Sequence, residues 1–182
     1  GEMNTCYNAV DRHVAAGRGE QNAIIYDSPI TGTAYNLTFN KLQLATARFA
    51  GMLCRYGVTK GDRVIIYMPM IPEAVIAMLG CARFGVVHSV VFGGFAAAEL
   101  AKRIDDCQPS LIISASCGHE PNRIVEYKPL LDEAISLSQH KPSTCVVYQR
   151  EAITAKLFEG RDIEWHAAHE GADELAPVTV KA

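Results

Sequence analysis

The stretch Gly61–Phe95, GDRVIIYMPMIPEAVIAMLGCARFGVVHSVVFGGF, decides how this chain folds. Arg63–Met68 is apolar and β-branched at nearly every position, and so is Val86–Val91. Between them Pro72–Phe84 carries its apolar residues at helical spacing. The order is strand, helix, strand, then a double-glycine turn at Gly93-Gly94. Strands without polar alternation are buried on both faces, as parallel strands of an α/β sheet are. Sheets of that kind bind ligands beyond the carboxyl ends of their strands. The stretch therefore predicts an α/β fold, a parallel sheet flanked by helices, with a ligand edge. It leaves the ligand open.

The same alternation continues downstream. Ala96–Asp106 reads as a helix that ends before Pro109, and Leu111–Ala115 as a third buried strand. A polar loop over Ser116–Arg123 follows, then a helix over Glu126–Ser138 with Pro129 in its first turn, then a strand over Cys145–Gln149. From Arg150 onward the pattern weakens, and only a short helical piece near Ile163–His169 is predicted. Upstream, Asn4–Ala15 has helical spacing, Ala23–Tyr26 and Gly32–Leu37 are candidate partner strands, and Thr38 is a plausible N-cap for a helix running to about Arg55. In that helix Leu42, Ala45, Phe49 and Leu53 form the expected buried stripe. The organisation is a leading helix and β-hairpin over 1–58, a βαβαβαβ region over 59–149 and a tail over 150–182.

A chain of 182 residues that is 49% hydrophobic can bury one substantial core. A net charge of −3 argues against a nucleic-acid partner, which calls for a basic face. No apolar run approaches the roughly 18 residues that span a bilayer, so no membrane partner is expected. The six cysteines sit singly, most of them inside apolar elements and none in a Cys-x-x-Cys pair. That usage predicts six free thiols and a reducing compartment, the mitochondrial matrix or the cytoplasm.

Several stretches in order resemble one family. Tyr67-Met68-Pro69-Met70-Ile71-Pro72-Glu73-Ala74, Cys81-Ala82-Arg83-Phe84-Gly85 and Val91-Phe92-Gly93-Gly94-Phe95 are similar to the AMP-forming short-chain acyl-CoA synthetases of the adenylate-forming superfamily. So are Asn4–His13, Ala115–Arg123 and Glu159–Trp165. The resemblance covers nearly the whole chain. It implies activation of acetate or propionate through an acyl-adenylate, with ATP, CoA and Mg2+ serving the full-length enzyme and small molecules as its partners. By the same resemblance Phe92, Gly93 and Gly94 lie against the nucleotide end of CoA. The Glu120-Pro121-Asn122-Arg123 segment also contacts it, with the Arg123 fork meeting a phosphate. Asn122 stands where the family has glycine, and Glu120 where some members have a basic residue. The family's phosphate loop ending Pro-Lys-Gly, its ribose-binding aspartate and its catalytic lysine have no counterpart in these residues. The resemblance thus implies the amino-terminal portion of such an enzyme, inactive and cofactor-free as a fragment.

On residue chemistry alone, Glu120–Arg123 reads as a solvated loop and Phe92–Phe95 as a tight turn that needs glycine. His166 and His169 share a helical spacing without a third metal ligand, His88 belongs to an apolar strand, and Ser89 and Ser116 lack a nucleophile-elbow setting. No catalytic or metal-binding residue is assigned. Two alternatives stand beside the synthetase reading: a non-catalytic α/β module that binds nucleotide or CoA, and a different adenylate-forming ligase.

Overall fold

The computed structural model describes residues 1–181. In chain order the elements are β1 (Glu2–Met3), two π-helical stretches (Tyr7–Asp11 and Val14–Arg18), β2 (Asn22–Ser28), β3 (Thr33–Thr38), α1 (Phe39–Arg55), β4 (Arg63–Met68), α2 (Pro72–Phe84) and β5 (Val87–Phe92). There follow α3 (Ala97–Cys107), β6 (Leu111–Ala115), β7 (Cys117–Glu120), β8 (Arg123–Glu126), α4 (Tyr127–Leu137), β9 (Thr144–Tyr148), β10 (Asp162–Glu164), α5 (Trp165–His169) and β11 (Val180–Lys181). They divide into two compact units.

The first unit gathers Gly1–Gly61, Met70–Val86 and the chain from Gly171 onward. Its hairpin pairs β2 with β3 antiparallel, and Thr38 closes it by capping α1, its hydroxyl accepting from the Lys41 N–H at 3.3 Å. The stripe on α1 is buried at Leu42, Phe49 and Leu53 as expected. Thr46 and Ala47 take the place of the half-buried Ala45. The leading segment is anchored at Asn4, whose amide donates to the Ala82, Arg83 and Val178 carbonyls and whose oxygen accepts from the Tyr7 N–H. Beneath it Arg83 and Asp11 form a buried ion pair, with Nη1 2.8 Å from Oδ2. Arg83 Nε also donates to the Leu175 carbonyl, and Gln43 donates to Asp11, so each charge has a second hydrogen-bond partner. β11 returns to pair antiparallel with β1.

The second unit, Asp62–Pro69 with Val87–Glu170, holds the sheet. Five strands run parallel in the order β10-β9-β6-β4-β5. The four predicted strands are all there, each within a residue of its expected bounds. β4 and β6 are buried from Val64 to Met68 and along the whole of Leu111–Ala115. On one face Ile65, Tyr67, Val91, Ile112 and Cys145 pack against Leu100 and Ile104 of α3 and Leu131 and Ile135 of α4. Each fully buried aliphatic there contributes roughly 1.5–3 kcal/mol. α2 stands between β4 and β5 in the chain, as a crossover must, and begins with Pro72 in its first turn.

Three expectations are corrected. β5 is an edge strand and leaves Val87, Val90 and Phe92 exposed, so it is not buried on both faces. Ser116–Arg123 is no open loop: β7 and β8 form an antiparallel hairpin in which Glu120 faces Arg123 across a two-residue turn. Pro121 and Asn122 are the two turn residues, and proline pre-sets the first of them for a tight turn. Asn122 keeps a negative φ, so the glycine expected at this position is not needed by the turn. Finally, Asp162–Glu164 is a fifth parallel strand, and the helix predicted over Ile163–His169 begins only at Trp165. The Glu164 carboxylate caps that helix, accepting from the His166 and Ala167 N–H groups at 2.7 and 3.0 Å.

Candidate functional site

Because all five strands are parallel, their carboxyl ends share one edge. Phe92–Gly94 leaves it after β5, the β7–β8 hairpin after β6, and Gln149-Arg150 after β9. Tyr127, the first residue of α4, gathers the first two. Its N–H donates to the Ser116 carbonyl at 3.0 Å, and its ring stacks on Tyr67 with centroids 5.0 Å apart. A Cβ built on Gly93 would lie 1.9 Å from the Tyr127 hydroxyl oxygen, and one on Gly118 would lie 2.5 Å from it. The hydroxyl is thus pressed against both backbones, and neither position has room for a side chain. The turn after β5 and the base of the hairpin meet at this one phenol. Burial pushes Tyr67 up to about 12 and raises Tyr127 as well, so both are O–H donors at neutral pH. Tyr67 donates to the Phe95 carbonyl at 3.3 Å, which fixes the far end of the glycine turn.

Outside this buried centre lie the exposed groups. Phe92 is 72% exposed and meets Phe95 edge-on with centroids 6.5 Å apart, while Arg103 sits over the Phe95 ring. At the hairpin tip Arg123 donates through Nε to the Glu120 carboxylate at 2.7 Å. The fork expected to meet a phosphate therefore already has a counter-ion, in a pair that is exposed and weak. The structure brings Phe92, Gly93 and Gly94 and the Glu120–Arg123 turn to one edge of the sheet, with Gly93 and Gly118 as the points of contact.

Sequence reasoning missed three residues of this edge. Gly118 follows a buried strand by three residues and, like Gly93, has no room for a Cβ beside Tyr127. Tyr127 was hidden in a helix start. Arg150 sits two residues past the end of β9, half-buried, with Nη1 donating to the Cys117 carbonyl at 3.2 Å and its own N–H to Ser116 Oγ at 2.9 Å. Arg123 is thus not alone in offering a forked cation here. Its position just after a predicted strand was the signal that could have found Arg150. His119, on β7, is held below the ordinary histidine value by burial and by the Arg150 charge.

The remaining candidates fall away from this edge. His88 is half-buried on β5. His169 hydrogen-bonds the Trp165 carbonyl through Nδ1 at 2.6 Å, and its ring lies against Trp165. All six cysteines are free. Among the described residues no group of three or more His, Cys, Asp or Glu side chains is placed to hold a metal ion. No helix of the described residues is long and apolar enough to cross a membrane. The edge can offer backbone groups and two arginines to an anionic ligand.

The family model described as AMP-binding enzyme matches residues 11–179. An uncharacterized protein of Pseudomonas aeruginosa is 55% identical over 96% of this chain and 28% of its own length. The human mitochondrial protein named acyl-CoA synthetase short-chain family member 3 is 49% identical over 91% of this chain and 24% of its own. The acetyl-coenzyme A synthetase of Mycolicibacterium smegmatis is 41% identical over 94% and 18% respectively. The chain spans about a quarter or less of the length of these relatives.

Proposed function

The chain belongs to the AMP-binding enzyme family, and on that footing we propose that it is the amino-terminal portion of the large domain of an AMP-forming short-chain acyl-CoA synthetase. The whole enzyme would join a short carboxylate, acetate or propionate, to ATP, releasing pyrophosphate and holding an acyl-adenylate. The CoA thiol would then displace AMP to give the thioester. Mg2+ would accompany ATP on residues outside this chain. The observation that carries the reading is the match over residues 11–179, joined by relatives named as acyl-CoA and acetyl-CoA synthetases at 49% and 41% identity.

Within that enzyme these residues would supply the parallel sheet and part of the CoA surface. Phe92 offers an exposed ring to the adenine end, and Gly93 and Gly94 allow close approach of the backbone. The tip Glu120-Pro121-Asn122-Arg123 meets a phosphate through Arg123, in exchange for its Glu120 partner. The free thiols fit a reducing compartment, the mitochondrial matrix or the cytoplasm.

The test separates the two half-reactions. The enzyme that carries this chain should exchange pyrophosphate into ATP in the presence of acetate or propionate, whereas the 182-residue chain alone should not. Arg123→Ala in the whole enzyme should raise the KM for CoA by up to about tenfold, on the order of 1 kcal/mol, and leave the exchange nearly intact. Equal losses in both would move Arg123 out of the CoA surface.

A further inference from the structure

We propose that Arg150 is a second phosphate-contacting residue of the CoA surface, placed at the base of the β7–β8 hairpin where Arg123 stands at its tip. The inference rests on the CoA reading given above and adds a residue to it.

Two contrasts carry it. Arg123 is bound to a carboxylate, while Arg150 has no carboxylate within ion-pair distance among the described residues. Its side chain donates to a neutral acceptor, the Cys117 carbonyl, and that bond uses one N–H of five. A guanidinium that is half-buried and not neutralised keeps its charge for an incoming anion, whereas a solvated one is screened. The second contrast is positional. Arg150 follows a parallel strand and so stands on the carboxyl edge, where ligands of such sheets bind. Its main chain is fixed by Ser116 and its fork by Cys117, the two residues just before Gly118. Those contacts hold it beside the phenol against which Gly93 and Gly118 close. The charge is felt there, since it depresses His119 and opposes the rise of Tyr127. The preorganised carbonyl bond lets Arg150 meet a phosphate with less ordering cost than an arginine at an exposed hairpin tip.

The experiment uses the whole enzyme with two thiol acceptors, CoA and pantetheine, the second of which has no phosphate. Arg150→Ala should raise the KM for CoA roughly tenfold, leave acyl-dependent ATP–pyrophosphate exchange within about twofold of the parent, and leave the rate with pantetheine unchanged. Arg150→Lys, which retains the charge, should recover part of the loss. An equal penalty with pantetheine would show that Arg150 does not meet a phosphate, and an unchanged KM for CoA would equally overturn the proposal. So would a parallel loss of exchange with a lowered melting temperature in both variants, which would make Arg150 a brace of the hairpin. A parent enzyme that performs the exchange but gives no thioester with CoA would sink the synthetase reading itself and this inference with it.

Discussion

Tyr127 joins two segments that the sequence separates by more than twenty residues, and it does so through contacts too close for any side chain but hydrogen. At Gly93 an added Cβ would meet the hydroxyl at 1.9 Å and ring carbons at 2.3 and 2.5 Å. At Gly118 the corresponding distances are 2.5, 2.7 and 2.9 Å. Overpacking of this kind costs typically about 1–3 kcal/mol. Gly93→Ala is therefore expected to destabilise more than Gly118→Ala. Tyr127→Phe removes the hydroxyl only, so it should restore part of the loss at Gly118 and little at Gly93, where the ring itself is in the way. Urea unfolding of the three single and two double variants reads this directly. Equal rescue at both sites would mean that the ring moves aside freely and does not clamp the edge.

At the scale of elements, the sequence displayed whatever depends on local apolar pattern and hid what depends on a distant partner. The runs at 63–68, 87–92, 111–115 and 144–148 declare themselves by β-branched residues, and Pro72 and Thr38 mark their helix starts. The hairpin did not show, because Gly118-His119-Glu120 and Arg123-Ile124-Val125 have no clean alternation and only Pro121-Asn122 signals the turn. β10 was hidden for a different reason: it is three residues long and held by charge. Lys128, 2% exposed on α4, reaches Asp132 at 2.6 Å and Asp162 at 2.8 Å. Arg161 bonds Asp162 at 2.7 Å and also Asp132, and the Phe158 ring lies under both cations. Four charges of balanced sign thus tie the start of β10 to α4. Removing one member of a buried set leaves its partner uncompensated, at about 3–5 kcal/mol. Lys128→Ala should lower unfolding stability by that amount, with hydrogen exchange at the β9–β10 pairing accelerated first. A loss below about 1 kcal/mol would show that the cluster is solvated and that β10 is held by its backbone pairing.

At the scale of the whole molecule, the same buried groups set how the sheet-bearing unit answers to acid. His88 and His119 are held below the ordinary histidine value of 6.5 by burial, His119 also by Arg150. His169 is lowered too, its burial outweighing the bond to the Trp165 carbonyl. Asp162 is raised by burial taken alone, but the hydrogen bonds from Arg161, Lys128 and the Phe158 N–H outweigh it and hold the carboxyl below its ordinary 3.8. Both kinds of group bind fewer protons folded than unfolded at a given pH, so both make stability fall as pH falls. Their windows differ. The histidine contribution is complete above pH 6.5 and is lost below it, as the unfolded chain takes up protons that the folded one refuses. It stops falling once the folded imidazoles titrate. The Asp162 contribution is intact down to about 3.8 and is lost only below that value. Urea midpoints between pH 8 and pH 3 should therefore decline in two limbs, the first starting near 6.5 and the second near 3.8. Lys128→Ala weakens the hold on Asp162 and should shrink the second limb while leaving the first. A midpoint that stays flat from pH 7 to pH 5 would show that the three imidazoles reach solvent in the fold, and that the sheet edge around His119 is open to water instead of closed on Tyr127.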